Sequence, residues 1–264
     1  MTLPTLFPYN RYEMLAEPVT VYYPTGEEPL ARWVFQTIST ACSVLTQLLR
    51  VAVPDFEVLL VSTDDWPLVP HSEPEEVDTP HPYLTTITTP PCLVVPIEID
   101  PIFGEMLPEK FAFMLYHELS LAFLEEDSRP WPDDNPLWAD EWQFKFIALW
   151  LSRSLNGVQG VVNKDMHEHY ADIFEPEPDG KTPVTVRGFD WFEDTEAEDY
   201  LAYELLLEQF ASDLLDHYSV DILPRFLTLY RQDHKVLLSD QVTDMLVEAL
   251  GPASRTWLED LVYF

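Results

Sequence analysis

Residues 116–127 read YHELSLAFLEED, and the understanding of the whole chain turns on them. His117 and Glu118 stand side by side in a stretch whose apolar residues recur at helical spacing. On a helix, positions i and i+4 differ by only about 40°, so two histidines so spaced reach one metal ion. A glutamate directly after the first histidine would face a water on that ion and act as its general base. Four residues after His117, however, stands Leu121, which has no donor atom. The stretch spells half of a metal site.

Working toward the N-terminus, "CLVVPIEI" and "YLTTITT" read as short strands, and "FEVLLVST" (56–63) is apolar enough to be central in a sheet. Before them, "PVTVYYP" (18–24) is a β-branched, aromatic strand. "TGEE" follows, with Thr25 and Glu28 spaced as a capping box. Leu30, Val34, Phe35, Ile38, Cys42, Leu45 and Leu49 then recur at helical spacing, which predicts a long amphipathic helix over about 27–50. The first half is a β–α–β–β–β layout that ends in the helix carrying His117.

Working toward the C-terminus, the pattern becomes helical. "DSRPWPDDNP" is a loop ending at Pro136, a good first helical residue. "LWADEWQFKFIALWLSRSL" is apolar on most sides and is expected to be buried. Trp138, Trp142 and Trp150 share a face there, read as core packing or as an aromatic groove. Residues 156–195 look irregular, with "EPEPDG" as a turn, and three or four helices follow from Glu196. These readings divide the chain into a mixed lobe, residues 1–130, and a helical lobe, residues 131–264, which together form one domain.

The following helix offers a third metal ligand, Glu141 in "PLWADEWQFKF", and "DYLAYELLLEQF" offers Tyr200, whose hydroxyl could donate to a developing oxyanion. In this combination and order the chain resembles the gluzincin zinc metallopeptidases, in particular the compact peptidase-MA-like domains of their aminopeptidase branch. That family reads HExxH, then a W-x-x-E-G-x-A helix, then a Y-x-x-G segment. The resemblance covers roughly residues 18–260. It implies His117 as first zinc ligand, Glu118 as general base, Glu141 as third ligand and Tyr200 as the transition-state tyrosine. It also implies an α+β, zincin-like fold, a small mixed sheet with a long helix plus a helical C-terminal lobe. The sequence departs from the family at Leu121, in place of the second histidine, and at Trp142 and Tyr203, in place of glycines. A catalytic zinc normally has three protein ligands. Losing one removes about 3–5 kcal/mol of roughly 10–16 kcal/mol of binding. The site residues are therefore read as vestigial, with His117 and Glu141 as a buried polar pair, and zinc is expected only if another group completes the site.

The chain has 264 residues, 47 acidic against 14 basic, and a formal net charge of −33. That balance argues against nucleic acid or an anionic membrane as partner. It fits a highly soluble surface, or a decoy for a nucleic-acid-binding protein. No run approaches the roughly 18 apolar residues of a membrane span, and the opening residues have no signal-peptide pattern, so a cytoplasmic protein is expected. Cys42 and Cys92 form no metal spacing or disulfide framework. His167 and His169 in "MHEHY" sit in a loop, His217 and His234 fall at helix ends, and Asp133 with Asp134 or Asp140 with Glu141 are pairs that composition alone produces. There is no G-x-S-x-G elbow and no phosphate loop. The leading expectation is a catalytically inactive metallopeptidase-like protein that binds a protein or peptide partner. The alternatives are an active metal-dependent peptidase with an unorthodox ligand set and, more weakly, the acidic decoy.

Overall fold

A computed structural model of the chain describes residues 7–71, 79–124, 136–171, 184–190, 197–232 and 235–264. It is mixed α+β and forms two compact units, Met1–Glu126 and Asp127–Phe264. "EPEEVD", "EPEPDG", Asp133, Asp134, His234 and the expected lobe boundary near residue 130 lie outside the described residues.

The first unit is built on a five-stranded sheet of order β1-β2-β3-β5-β4. The strands are β1 (Tyr12–Leu15), β2 (Thr20–Pro24), β3 (Glu57–Val61), β4 (Tyr83–Thr85) and β5 (Cys92–Pro96). The inner pairs β2–β3 and β3–β5 are parallel, and the two edge pairs are antiparallel. The run VLLV in β3 is buried on both faces, as an apolar stretch without alternation requires of a central parallel strand. On one face α1 (Glu28–Leu49) buries Ala31, Val34, Ile38, Ala41, Cys42 and Leu45. On the other, Leu59, Val61, Cys92 and Val94 pack with Trp66, Val69 and Tyr83, joined by Phe7, Tyr12 and Tyr22. The unit closes with α2 (Pro108–Leu124), which carries His117.

Two local expectations for this unit need correction. The helix cap is Glu27, with no side-chain cap bond, so Thr25 and Glu28 form no capping box. Gly26 takes a φ of +100° between β2 and α1, and this turn moves the helix start past Thr25. Glu28 instead accepts from Arg32 Nε at 2.8 Å, one turn on. Strand β1 was not anticipated. It has four residues, none of them buried, and therefore no alternation to read.

Among the described residues, the regular secondary structure of the second unit is helical: α3 (Trp138–Asn156), α4 (Lys164–His169), α5 (Ala197–His217), α6 (Ile222–Tyr230), α7 (Ser239–Leu250) and α8 (Ser254–Asp260). Its core is aromatic. Trp142 meets Phe146, Phe210 and Phe226 edge-on with centroids 4.9–6.4 Å apart, and Phe264 stacks on Phe210. Trp138 is fully buried and donates to Ser239 Oγ at 2.9 Å. Pro136 precedes the helix rather than opening it, and its carbonyl accepts from Ala139. His167 and His169 lie on α4, not in a loop. Among the described residues, no helix is long and apolar enough to cross a membrane.

Candidate functional site

The sequence-derived site residues fall in both units, His117 and Glu118 in the first, Glu141 and Tyr200 in the second. In the first, α2 places both side chains beside the edge strand β4. His117 Nδ1 lies 3.0 Å from Glu118 Oε1, and Glu118 Oε2 accepts the Leu84 backbone N–H at 2.9 Å. Both groups are largely shielded, with side chains 19% and 14% exposed. Leu84 sits in the middle of β4, whose other edge pairs with β5. Glu118 thus takes an outward-facing N–H that an edge strand would otherwise present to another chain.

This arrangement is a poor match for a zinc centre of the peptidase kind. With the proton on Nδ1, His117 keeps Nε2 as its lone-pair nitrogen, the form a metal ligand needs. One turn on, however, Leu121 offers no donor. Glu118, which would have to reach a metal-bound water, has one oxygen on His117 and the other on the backbone of β4. Within either unit, among the described residues, no three His, Cys, Asp or Glu side chains come together to hold a metal ion.

In the second unit Glu141 lies on α3 and Tyr200 on α5, both on a polar seam between those helices. Along α5, Tyr200, Glu204, Glu208, Ser212 and Asp216 recur every fourth residue; along α3, Glu141, Lys145 and Arg153 lie on one stripe. Lys145 pairs with Glu204. Arg153 donates to Ser212 Oγ and Asp216 Oδ1, both at 2.7 Å. The partners advance together along both helices, so α3 and α5 run parallel. Burial works against the Lys145 charge, but Glu204, Glu141 and Glu208 overcome it and hold its pKa above the ordinary value.

Glu208 is the most deeply buried member, 1% exposed. It accepts from Val162 N at 2.6 Å, Asn163 N at 3.2 Å and Asn163 Nδ2 at 2.9 Å, and His167 Nε2 lies 3.3 Å away. Burial alone would raise its pKa; the bonds from His167, Asn163 and Val162 bring it below the ordinary carboxylate value. This carboxylate organises residues 162–167 and explains why His167 is not on a solvated loop. Lys145, Glu204 and Glu208 were missed as a set. The available signal was charge at fourth-residue spacing inside apolar helices, where unpaired Lys and Glu are rarely buried.

Trp142 and Tyr203, where the resembled family has glycine, are both fully buried in the second unit. Tyr203 stacks on Phe189, with centroids 4.2 Å apart. No protein-family model matches the chain, and no curated protein compared with it matches.

Proposed function

We propose that this chain is a zincin-type, metallopeptidase-like protein that performs no peptidase chemistry and acts by binding a protein or peptide partner in the cytoplasm. One observation carries the reading. The carboxylate that would serve as general base is spent, one oxygen on His117 and one on the Leu84 N–H, while Leu121 stands one turn on. Order of elements supports the zincin assignment: strand, long helix, central strand, short strands, the helix of His117 and Glu118, then the helix of Glu141. On this reading, the scaffold outlasted its metal chemistry and Glu118 became a fastener between α2 and β4.

The test is elemental analysis of tag-free protein purified without chelator and then offered excess zinc, together with a peptide-library cleavage assay. Wild type is expected to hold far less than one zinc per chain and to cleave nothing. Leu121→His supplies the missing donor and is expected to tighten zinc binding by about 10²–10⁴-fold. Near-stoichiometric zinc in wild type, with cleavage abolished by Glu118→Gln, would establish an active peptidase instead. No gain of zinc in Leu121→His would remove the zincin assignment.

A further inference from the structure

A half-open cleft of about 520 Å³ lies wholly within the second unit, lined by α7, α8, the residues after α8 and the segment that carries Arg187. Its volume falls in the range of small-molecule sites, roughly 300–1,000 Å³. The Arg187 segment is tied down because the Val186 N–H donates to the Tyr263 carbonyl at 2.8 Å. Arg187 then lies over the Phe264 ring, 5.7 Å from its centroid. Val247, Leu258 and Leu261 give the cleft an apolar wall. Five charged side chains also line it: Arg187 and Arg255, with Asp240, Asp244 and Glu259.

The way these charges pair leaves both signs partly unmet. Asp240 and Asp244 stand one turn apart on α7, and Arg255 and Glu259 one turn apart on α8. Arg187 donates through Nη2 to Asp240 and through Nε to Ser239 Oγ at 3.3 Å. Arg255 donates through Nη2 to Asp244 on α7, not to Glu259 on its own helix. Among the described residues, Glu259 therefore has no ion pair. Arg187 Nη1, Arg255 Nε and Arg255 Nη1 likewise have no acceptor among them.

That pattern selects the occupant. A simple anion would meet three carboxylates against two guanidiniums. A simple cation could pair with Glu259, but it would strip solvent from guanidinium N–H groups that it cannot satisfy, which costs free energy. A metal ion does not fit, since among the described residues no three acidic or histidine ligands come together. A small molecule with both signs serves both: its carboxylate accepts from the arginines, and its ammonium donates to Glu259.

We propose that this cleft binds a small zwitterion with an apolar side chain, a free α-amino acid or a dipeptide. Arg255 and Arg187 take its carboxylate, Glu259 its ammonium, and Val247, Leu258 and Leu261 its side chain. The site lies wholly in the second unit and does not depend on the reading of His117 and Glu118.

The full chain is titrated by calorimetry in buffer of near-physiological salt. The probes are L-leucine and L-leucyl-L-leucine. The controls are N-acetyl-L-leucine, which lacks the ammonium, L-leucinamide, which lacks the carboxylate, and glycine, which lacks the side chain. One probe molecule is expected to bind per chain, about tenfold or more tighter than any control. Glu259 and Arg255 are both exposed, so Glu259→Gln and Arg255→Gln are expected to leave the melting temperature near that of wild type. Each is expected to weaken binding about tenfold, the loss of one charge-assisted hydrogen bond. Tighter binding of leucine identifies a free amino acid as ligand, and tighter binding of dileucine identifies a dipeptide. Absence of binding by both probes overturns the proposal, as does unchanged affinity in either variant. So does leucinamide binding as tightly as leucine, since diffuse attraction to a chain of net charge −33 would then account for the binding. N-acetyl-leucine or glycine binding as tightly as leucine overturns it too, since the ammonium or the side chain would then have no subsite.

Discussion

Glu118 Oε2 accepts the backbone N–H of Leu84 at 2.9 Å, so the residue that resembles a general base fastens a helix to the edge of a sheet. A catalytic glutamate and a structural one respond differently to the isosteric amide. Glu118→Gln keeps the shape but removes the charge, weakening both contacts; it is expected to cost about 1–2 kcal/mol, and Glu118→Ala about 2–3 kcal/mol. Urea denaturation measures both, and hydrogen exchange at the Leu84 amide should quicken in each. Unchanged stability and exchange in Glu118→Gln would contradict the fastener role.

Glu208 makes stability depend on pH in a defined direction. Its folded pKa lies below the ordinary 4.5 because hydrogen bonds from His167, Asn163 and Val162 outweigh the opposing effect of burial. Its contribution is therefore complete above about pH 4.5 and is lost as pH falls through the folded value. Glu208→Gln is expected to be less stable than wild type at neutral pH by about 2–4 kcal/mol, the range for disrupting a buried, hydrogen-bonded charge. The gap should narrow only below about pH 4.5. Other carboxylates titrate there too, so the readout is the difference between the two proteins, and Lys145 stays charged throughout. A gap independent of pH would mean that the carboxylate charge contributes nothing.

Cys42 and Cys92 are free and buried. Burial pushes each thiol up to about 12, and Glu57 adds to the effect at Cys92. The thiolate is the reactive form, so a disulfide reagent at about pH 8 is expected to label neither in the native protein and both in denaturant. Rapid native labelling would place at least one thiol near the surface.

The sheet was legible where hydrophobic pattern alone decides structure. The unbroken apolar run of β3 marks a central strand, and the helical recurrence from Leu30 to Leu49 marks α1, because each burial requirement is written within one segment. Strand β1 was not legible: it is a partly exposed edge defined by what it pairs with. The cap of α1 was misread because the motif Thr25–Glu28 is local, while the actual start depends on the positive φ of Gly26. The candidate site was less legible still. His117 and Glu118 stand out in the sequence, but their use is set by Leu84, some thirty residues earlier. The partnership of Lys145 with Glu204 joins two helices far apart in the chain, and only its half-patterns, one per helix, are visible in the sequence.

That partnership is also the strictest test of the seam. Lys145 is buried, and its ammonium stays charged against the cost of burial because Glu204, Glu141 and Glu208 surround it. Removing one partner of a buried pair strands the other, at about 3–5 kcal/mol; replacing both with apolar groups of similar volume is often neutral or stabilising. Glu204 retains 24% exposure in its side chain, so water can relieve part of the stranded charge. Lys145→Met is therefore expected at the lower end, about 2–3 kcal/mol destabilising. Glu204→Leu should cost a similar amount, lessened because Glu141 and Glu208 still compensate the ammonium. The double variant should lie within about 1 kcal/mol of wild type, giving a coupling of at least about 2 kcal/mol in a double-mutant cycle. Additive single effects would mean that Lys145 is held by the whole acidic seam rather than by Glu204. In that case Glu141→Gln in the Lys145→Met background should recover the stability that Glu204→Leu does not.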